Sequence, residues 1–370
     1  MSELTLSGIA RAVVLPLGLC ASASVPLTAQ DASRFSVHGY LTQGWGKSDG
    51  TKFYGLTGES STDFRYAALQ LRYAATPNDQ FVVQANHRRL GESQITDFES
   101  DVNLNWAFYQ RGFGDGTTIK VGRAPIPRGI YNELRSVGVV LPMYRPPVVF
   151  YDEGAYYSET IDGLIASRTF FESAPWSLEA HAYVGGWRSL AYDTWSEEYS
   201  VSKVRARNAI GAQLWLGTPI DGVRLGAAAQ RHDDKWDDGS ELELKEFHVS
   251  LDATRERYFV RAEGQLQNYV TSDKLYTAYL QANYKVTPKL GLTGEAQRSR
   301  DTEVTYVEGL PSSSFEWHRS DGVGLSYAFA PSLVFKVEHH WDRGIQIEQP
   351  AHPLTAPKFT YVLASLSASF

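Results

Sequence analysis

From Phe35 to Phe370 the chain alternates apolar and polar residues with almost no interruption, and one of the two faces so defined is nearly free of charge. A period of two belongs to strands, because successive side chains leave a strand on opposite sides. Roughly 16 such runs of about 8–14 residues can be marked, the length a tilted strand needs to cross a bilayer. Phe81, Val83 and Ala85 share a face opposite Gln84, Asn86 and Arg88, and Val102, Leu104, Trp106 and Phe108 oppose Asn103, Asn105, Tyr109 and Arg111. Leu178, Ala180, Ala182 and Val184 oppose Glu179, His181 and Tyr183; Tyr258, Val260, Ala262 and Leu266 oppose Arg261, Glu263 and Gln265. A basic side chain facing lipid at mid-membrane costs about 2–4 kcal/mol, so lipid contact demands such a charge-free face. A sheet lying on a protein core also alternates, but it does not explain one face staying wet and charged over so many strands. One run breaks phase: Leu242 and Leu244 are even while Phe247, Val249 and Leu251 are odd, which predicts a bulge near Lys245 or a strand that continues above the membrane.

The connections alternate too. Short ones carry tight-turn chemistry, as at Thr76-Pro77-Asn78-Asp79, Gly112–Gly116, Thr218–Gly222, Thr287-Pro288 and Ala330-Pro331. Between them fall longer polar loops, Lys47–Thr62, Leu90–Ser100, Arg188–Val201, Asp233–Ser240, Arg300–Ser313 and Gly344–Lys358. Short turns at one end and long loops at the other are the asymmetry of outer-membrane barrels, and an even strand count puts both termini at the short-turn end.

Residues 1–29 stand apart. Arg11 precedes an apolar run from Ala12 to Leu27 that closes on Leu27-Thr28-Ala29, the layout of a signal peptide cleaved after Ala29. The only cysteine, Cys20, lies within it, so residues 30–370 have no disulfide, thiol or cysteine–metal chemistry. Beyond it no apolar run is long enough for a membrane helix. The net charge of −7 argues against a nucleic-acid partner, and 21 Tyr with 9 Trp suit a chain with many membrane-interface positions. The fold expected is all-β: a transmembrane antiparallel β-barrel of roughly 16 strands over residues 30–370.

The longest break in the alternation, Gly122 to Asp152, reads GRAPIPRGIYNELRSVGVVLPMYRPPVVFYD. Its five prolines exclude a long helix or a paired strand, and its large apolar groups call for a surface to pack on. It is expected to fold into the barrel as a constriction loop. Ile119 and Val121 face lipid, so unbroken alternation would put Arg123 there as well; the ladder is therefore expected to break at Gly122. Arg123, Arg128, Tyr131, Glu133, Arg135 and Arg145 are the constriction candidates, Glu133 pairing with one of the arginines. On the wall, inward bases cluster early at Arg72, Arg88, Arg111, Lys120, Arg205 and Arg207. Inward acids come later, at Glu246, Asp252, Glu263, Glu295 and Glu338. Opposed across a lumen, they would set up a transverse field that orients charged solutes.

With these runs, the strand ending Val121-Gly122-Arg123, and a terminal Phe370 sharing a face with Ala368, Leu366, Ala364 and Val362, the chain resembles Gram-negative outer-membrane porins. It looks most like the substrate-preferring phosphate- and dicarboxylate-selective kind, although the bases of its long loop are all Arg, not Lys. The resemblance implies an outer-membrane diffusion channel for small hydrophilic, anionic solutes. It also implies a homotrimer in contact with outer-membrane lipid and lipopolysaccharide, with no cofactor and no catalysis. The alternatives are a barrel plugged by its long loop, acting in adhesion or surface structure, and a lipid hydrolase. His318-Arg319-Ser320-Asp321-Gly322 resembles the His-x-Ser-Asn-Gly stretch of outer-membrane phospholipases, with Asp in the fourth place and with His318 and Ser320 expected toward the lumen. Asp233, Asp234, Asp237 and Asp238 crowd one region that could hold a divalent ion, without EF-hand spacing.

Overall fold

The computed structural model describes residues 34–98, 101–151, 159–171, 175–193, 198–269, 274–302 and 314–370. The expected signal peptide (residues 1–29), Asp152 and most of the Arg300–Ser313 loop lie outside the described residues. Sixteen antiparallel strands close into one barrel, each paired with its sequence neighbours and the last with the first. They are β1 (Phe35–Ser48), β2 (Ser61–Ala74), β3 (Asp79–Leu90), β4 (Asn103–Gly112), β5 (Thr117–Pro125), β6 (Thr160–Phe170), β7 (Ser177–Asp193) and β8 (Ser200–Gly217). The second half comprises β9 (Val223–Trp236), β10 (Glu241–Thr254), β11 (Tyr258–Tyr269), β12 (Lys274–Lys285), β13 (Leu290–Thr302), β14 (Phe315–Ala330), β15 (Leu333–Gly344) and β16 (Lys358–Ser369).

Three of the short turns repeat one device. At Thr76-Pro77, Thr218-Pro219 and Thr287-Pro288 the proline presets the turn. The threonine hydroxyl then accepts a backbone N–H, from Asp79 at 3.0 Å, Ile220 at 3.2 Å and Leu290 at 3.0 Å. At the barrel seam the Gly39 N–H donates to the Phe370 carbonyl at 3.1 Å, and the Phe370 N–H returns the bond at 3.0 Å. Outward-facing Leu69, Leu71, Phe81, Val83, Val184, Leu214, Phe247, Val249, Leu280 and Leu292 stay exposed around the barrel. So much apolar surface is costly in water, at about 25 cal/mol per Å², and costs nothing against hydrocarbon.

Alternation fails at two β-bulges. On β4, Gln84 pairs with Trp106 but Ala85 with Leu104, leaving Asn105 as an extra residue. Beyond it Trp106 and Phe108 point inward, while Tyr109 and Arg111 point outward. Arg111 is thus not a lumen residue; it donates to Asp79 at the short-turn end at 3.2 Å. On β8, Arg207 pairs with Asp233 and Ile210 with Arg231, and Asn208 takes up the slack at φ +52°. Above this bulge Val204 and Ala206 are buried inside, and Arg205 and Arg207 stand outside, against expectation. β10 has no bulge: its register with β9 and β11 is unbroken. Leu244 simply points inward above Glu246, and the expected bulge near Lys245 is absent. β7 and β8 run 17 and 18 residues and β9 reaches Trp236, absorbing parts of what the sequence marks as loops. Asp233 and Asp234 therefore belong to a strand and point to opposite faces, and the four aspartates do not converge. Among the described residues no acidic or histidine group is arranged to hold a metal.

Candidate functional site

The β5 ladder does not break at Gly122. It pairs with β6 through Pro125↔Thr160. Gly122 takes φ +123°, and a Cβ there would come within 2.4 Å of the Ala107 carbonyl oxygen, so only glycine lets β4 and β5 approach. Arg123 consequently remains on the outward face with Val121. Its charge is met there by Asp162, which takes two hydrogen bonds of 2.7 Å from the guanidinium, and by the Leu104 carbonyl at 3.2 Å. Arg123 is thus not among the residues brought into the lumen.

From Ile126 to Tyr151 the chain lies inside the barrel and is tied to the far wall. The Ile130 and Tyr131 N–H groups both donate to the Tyr151 hydroxyl at 2.8 Å, and that hydroxyl donates to the Glu263 carboxylate on β11. Gly129 (φ +60°) permits this approach, since a Cβ there would sit 2.5 Å from the Tyr151 oxygen. Burial first, and then the Glu263 charge, push the Tyr151 hydroxyl pKa well above its ordinary value, so it acts as a donor. The Tyr131 hydroxyl reaches Gln281 and accepts from Arg261 at 2.9 Å. Arg128 donates to Gln265 at 3.0 Å and to the Phe150 carbonyl at 3.1 Å. The Val149 N–H donates to Gln297 at 3.1 Å, the Tyr144 N–H to Glu338 at 2.8 Å, and the Lys336 ammonium to the Met143 carbonyl at 2.8 Å. Ile130, Tyr131, Leu141, Phe150 and Tyr151 complete the attachment by packing on Trp215 and Tyr279.

The wall acids are thereby occupied. Glu263 also accepts from Ile130 N–H at 3.1 Å, Ser250 at 2.6 Å and Tyr279 at 2.7 Å. Glu295 holds the Gln281 and Gln297 amides at 2.5 Å each. Glu246 accepts from Gln265 at 3.0 Å and Gln267 at 2.7 Å and lies 3.9 Å from Arg128.

The early wall is different. Arg88 on β3 and Arg135 share one acid, Glu159, at 3.5 and 3.4 Å, a partner sequence reasoning missed. Arg135 is further held by the Tyr151 carbonyl at 2.7 Å. Arg65, paired with Asp63 at 2.6 Å, belongs instead to the outer face of β2 with Leu69 and Leu71. Arg145, 5% exposed, lies over the rings of Tyr54 and Tyr144 at 5.4 and 5.5 Å, and none of its three guanidinium nitrogens has a hydrogen-bond partner. A cavity of about 20 Å³ is lined by Arg65, Arg88, Arg135 and Arg145 with Thr42, Tyr66 and Ser136. Glu133 is 4.0 Å from Lys120, so its partner is the wall lysine and not a loop arginine. Arg72 points inward at the short-turn end, donating to Gln70 at 2.8 Å.

Two larger cavities lie elsewhere, and only the first borders the segment. One of about 430 Å³ is lined by Lys120, Arg128, Glu133, Glu179, His181 and Arg224; the other, of about 550 Å³ at the long-loop end, is lined by Asn86, Asn103, Arg123, Asp162, Arg188 and Arg205. The long-loop end is roofed by residues absent from the sequence reading. Phe53 and Leu56 are buried with Val148, Ile347 and Tyr361. Glu348 ties three loops together by accepting from the Gly55 N–H at 2.5 Å and from the Ser93 hydroxyl. His318 and Ser320 face inward as expected. Both bond the same carboxylate, however, at 2.9 and 2.8 Å from Asp342, and Phe53 stacks on the imidazole. Each is buried and spoken for, and no Ser–His hydrogen bond is formed between them.

No protein-family model and no curated protein matches the sequence. Solved structures do match in shape. The outer-membrane channel DcaP of Acinetobacter baumannii aligns with 91% of this chain and 97% of its own at TM-score 0.58 and 11% identity. OmpF of Salmonella typhi aligns over the same shares at 0.62 and 13%. The anion-selective porin of Comamonas acidovorans covers 91% and 99% at 0.56 and 10%. At such identities the likeness is one of fold: this chain is built as outer-membrane porins are built.

Proposed function

We propose that the protein is an outer-membrane channel of a Gram-negative bacterium through which small hydrophilic solutes diffuse, with a preference for anions. The observation that carries this reading is the segment 126–151 held inside a closed barrel, with Arg135 and Arg145 close to Arg88 of the wall. Arg88, Arg135 and Arg145 gather on the early wall, and such a gathering of guanidinium groups favours anions. The apolar outer face is met by outer-membrane lipid and lipopolysaccharide, and the porin resemblance carries with it a homotrimer. Preference among phosphate, dicarboxylates and simpler anions is set by how many guanidinium groups a solute can engage at once. The reading is tested by inserting the mature protein into planar bilayers: steady conductance steps support it.

A second reading, the plugged barrel with a role at the cell surface, is favoured by one observation. Loop residues Phe53 and Leu56 and segment residues Val148, Phe150 and Tyr151 are all buried inside. A folded, heat-modifiable barrel without conductance would select it over the channel.

A further inference from the structure

We propose that a hollow on the outer face of β10–β13 seats one lipopolysaccharide molecule, with an acyl chain in the hollow and a lipid phosphate held above it by Arg300 and Lys274. The hollow measures about 470 Å³ and is lined by Phe247, Val249, Leu266, Tyr276, Gly264 and Ala278, with Arg298 and Arg300 at its edge. Strand register explains its shape. Val249 pairs with Gly264, Gly264 with Ala278 and Ala278 with Arg298, so this row across the outer face is nearly bare at its middle. The next row toward the long loops, Phe247, Leu266, Tyr276 and Arg300, is bulky. No close approach demands Gly264: a Cβ there would meet only the Val249 side chain at 3.5 Å, an ordinary contact. What its missing side chain provides is the hollow itself.

The hollow lies where the outer face changes character. On its short-turn side the row Leu251, Ala262, Leu280 and Ala296 is apolar; beyond Tyr276 come Lys245, Asn268, Lys274 and Thr302. Long loops face the cell exterior in such barrels, so the lipid concerned belongs to the outer leaflet. Left empty in hydrocarbon, a hollow forfeits dispersion contacts along its lining, and a lipid chain fills it. That chain gains no hydrophobic free energy by leaving bulk lipid, so selection falls to the headgroup. Here the surface offers cations. Lys245 is paired with Glu243 at 2.9 Å, and Arg298 shares Asp321 with Arg319 at 2.8 and 3.1 Å. Lys274 and Arg300 make no ion pair among the described residues, and Glu316 stands opposite Arg300 in register without bonding it. Arg300 donates its Nε–H to the Ser314 hydroxyl at 2.8 Å, which leaves both terminal nitrogens for a phosphate. Lys274 and Arg300 are diagonal neighbours on one face, about 7–8 Å apart at the backbone, so their long side chains can close on one phosphate.

The inference rests on the outer-membrane location and concerns the lipid-facing wall, so it stands apart from whether the lumen conducts. The test is native mass spectrometry of the full mature protein, folded in detergent and titrated with diphosphoryl lipid A. Wild type should retain one lipid A per chain under activation that strips the detergent. Lys274→Gln/Arg300→Gln should weaken retention by about tenfold or more, and dephosphorylated lipid A should bind wild type as weakly. Gly264→Leu fills the hollow with a side chain that suits a lipid-facing position, so the barrel should fold, shown by its heat-modifiable mobility, and lose the tight lipid. No retained lipid A in wild type, or equal retention in both variants, overturns the proposal. Retention of phosphatidylglycerol as strong as that of lipid A overturns the assignment to lipopolysaccharide. So does a wild-type oligomer that Gly264→Leu dissociates in the absence of lipid A, since a second copy would then cover the hollow. A barrel that retains lipid A without conducting sinks only the channel; one that conducts without retaining it sinks only this site.

Discussion

The two sides of the lumen handle buried charge in opposite ways. On the β10–β15 side each acid is surrounded by donors: Glu263 alone takes Tyr151, Ile130, Ser250 and Tyr279. On the β2–β3 side two arginines share Glu159, and Arg145 has no hydrogen-bond partner. A satisfied network rigidifies what it holds, whereas a buried polar group without a partner is costly. The acid wall is thus the anchor of the segment, and the basic wall gathers buried positive charge beside it. Complementary walls arranged only to make a transverse field would leave both sets of charges available, which is not what the acids show.

The sharpest way to break this contrast is to remove the anchor. Glu263→Ala leaves several buried donors unmatched, each costing about 1–3 kcal/mol, so the segment should come loose. Trypsin cleavage at Arg128 or Arg135 in the folded barrel should rise steeply, while Glu263→Gln should stay near wild type. Unchanged cleavage in Glu263→Ala would show that the acid wall anchors nothing. A smaller effect is expected at Asn208, whose positive φ lets β8 bulge: Asn208→Val should cost about 1–3 kcal/mol in barrel unfolding measured in urea. No loss there would mean that the change of phase on β8 does not depend on that residue.

Loop chemistry at the roof should be gentler still. Burial raises the Glu348 pKa above the usual carboxylate range, although the Ser93 and Gly55 hydrogen bonds oppose the shift. A carboxyl whose folded pKa is raised contributes stability that is fully present below its unfolded value and lost as pH rises through the folded one. Proteolysis of the 49–60 loop should therefore increase as pH is raised from the ordinary carboxylate range toward neutral, and Glu348→Gln should flatten the profile. A wild-type profile that is already flat would remove Glu348 from the account. The smallest effect belongs to the arginines on the outer face. Arg111→Ala, Arg123→Ala and Arg205→Ala should leave ion preference unchanged in bilayer recordings, and a shift in any of them would return that residue to the lumen.

These outward arginines also mark where the sequence ceases to be legible. Strand number, the alternation of turns and loops, the closing strand at Phe370 and the inward face of β3 and β11 can all be read from period two, because burial of one face repeats that period at every step. A bulge adds one residue and inverts everything beyond it. Asn105 does this to Trp106, Phe108 and Arg111, and Asn208 to Arg205 and Arg207. The clue on β8 was present in Asn208, a residue type that tolerates positive φ. At Gly122 the estimate of lipid cost was sound, but it omitted Asp162, a neighbour supplied by β6 that makes an outward arginine tolerable. Glu159 and Tyr54 could not be assigned to the candidate site from spacing, since only the fold brings Glu159 to Arg88 and Arg135 and Tyr54 to Arg145.

The measurement that bears most directly on the central claim is the reversal potential of the channel under a salt gradient, in wild type and in Arg135→Ala/Arg145→Ala. The account predicts an anion-side reversal in wild type that moves toward zero or to the cation side in the double variant. A cation-side reversal in wild type, or a double variant identical to it, would contradict the assignment of control to the basic wall.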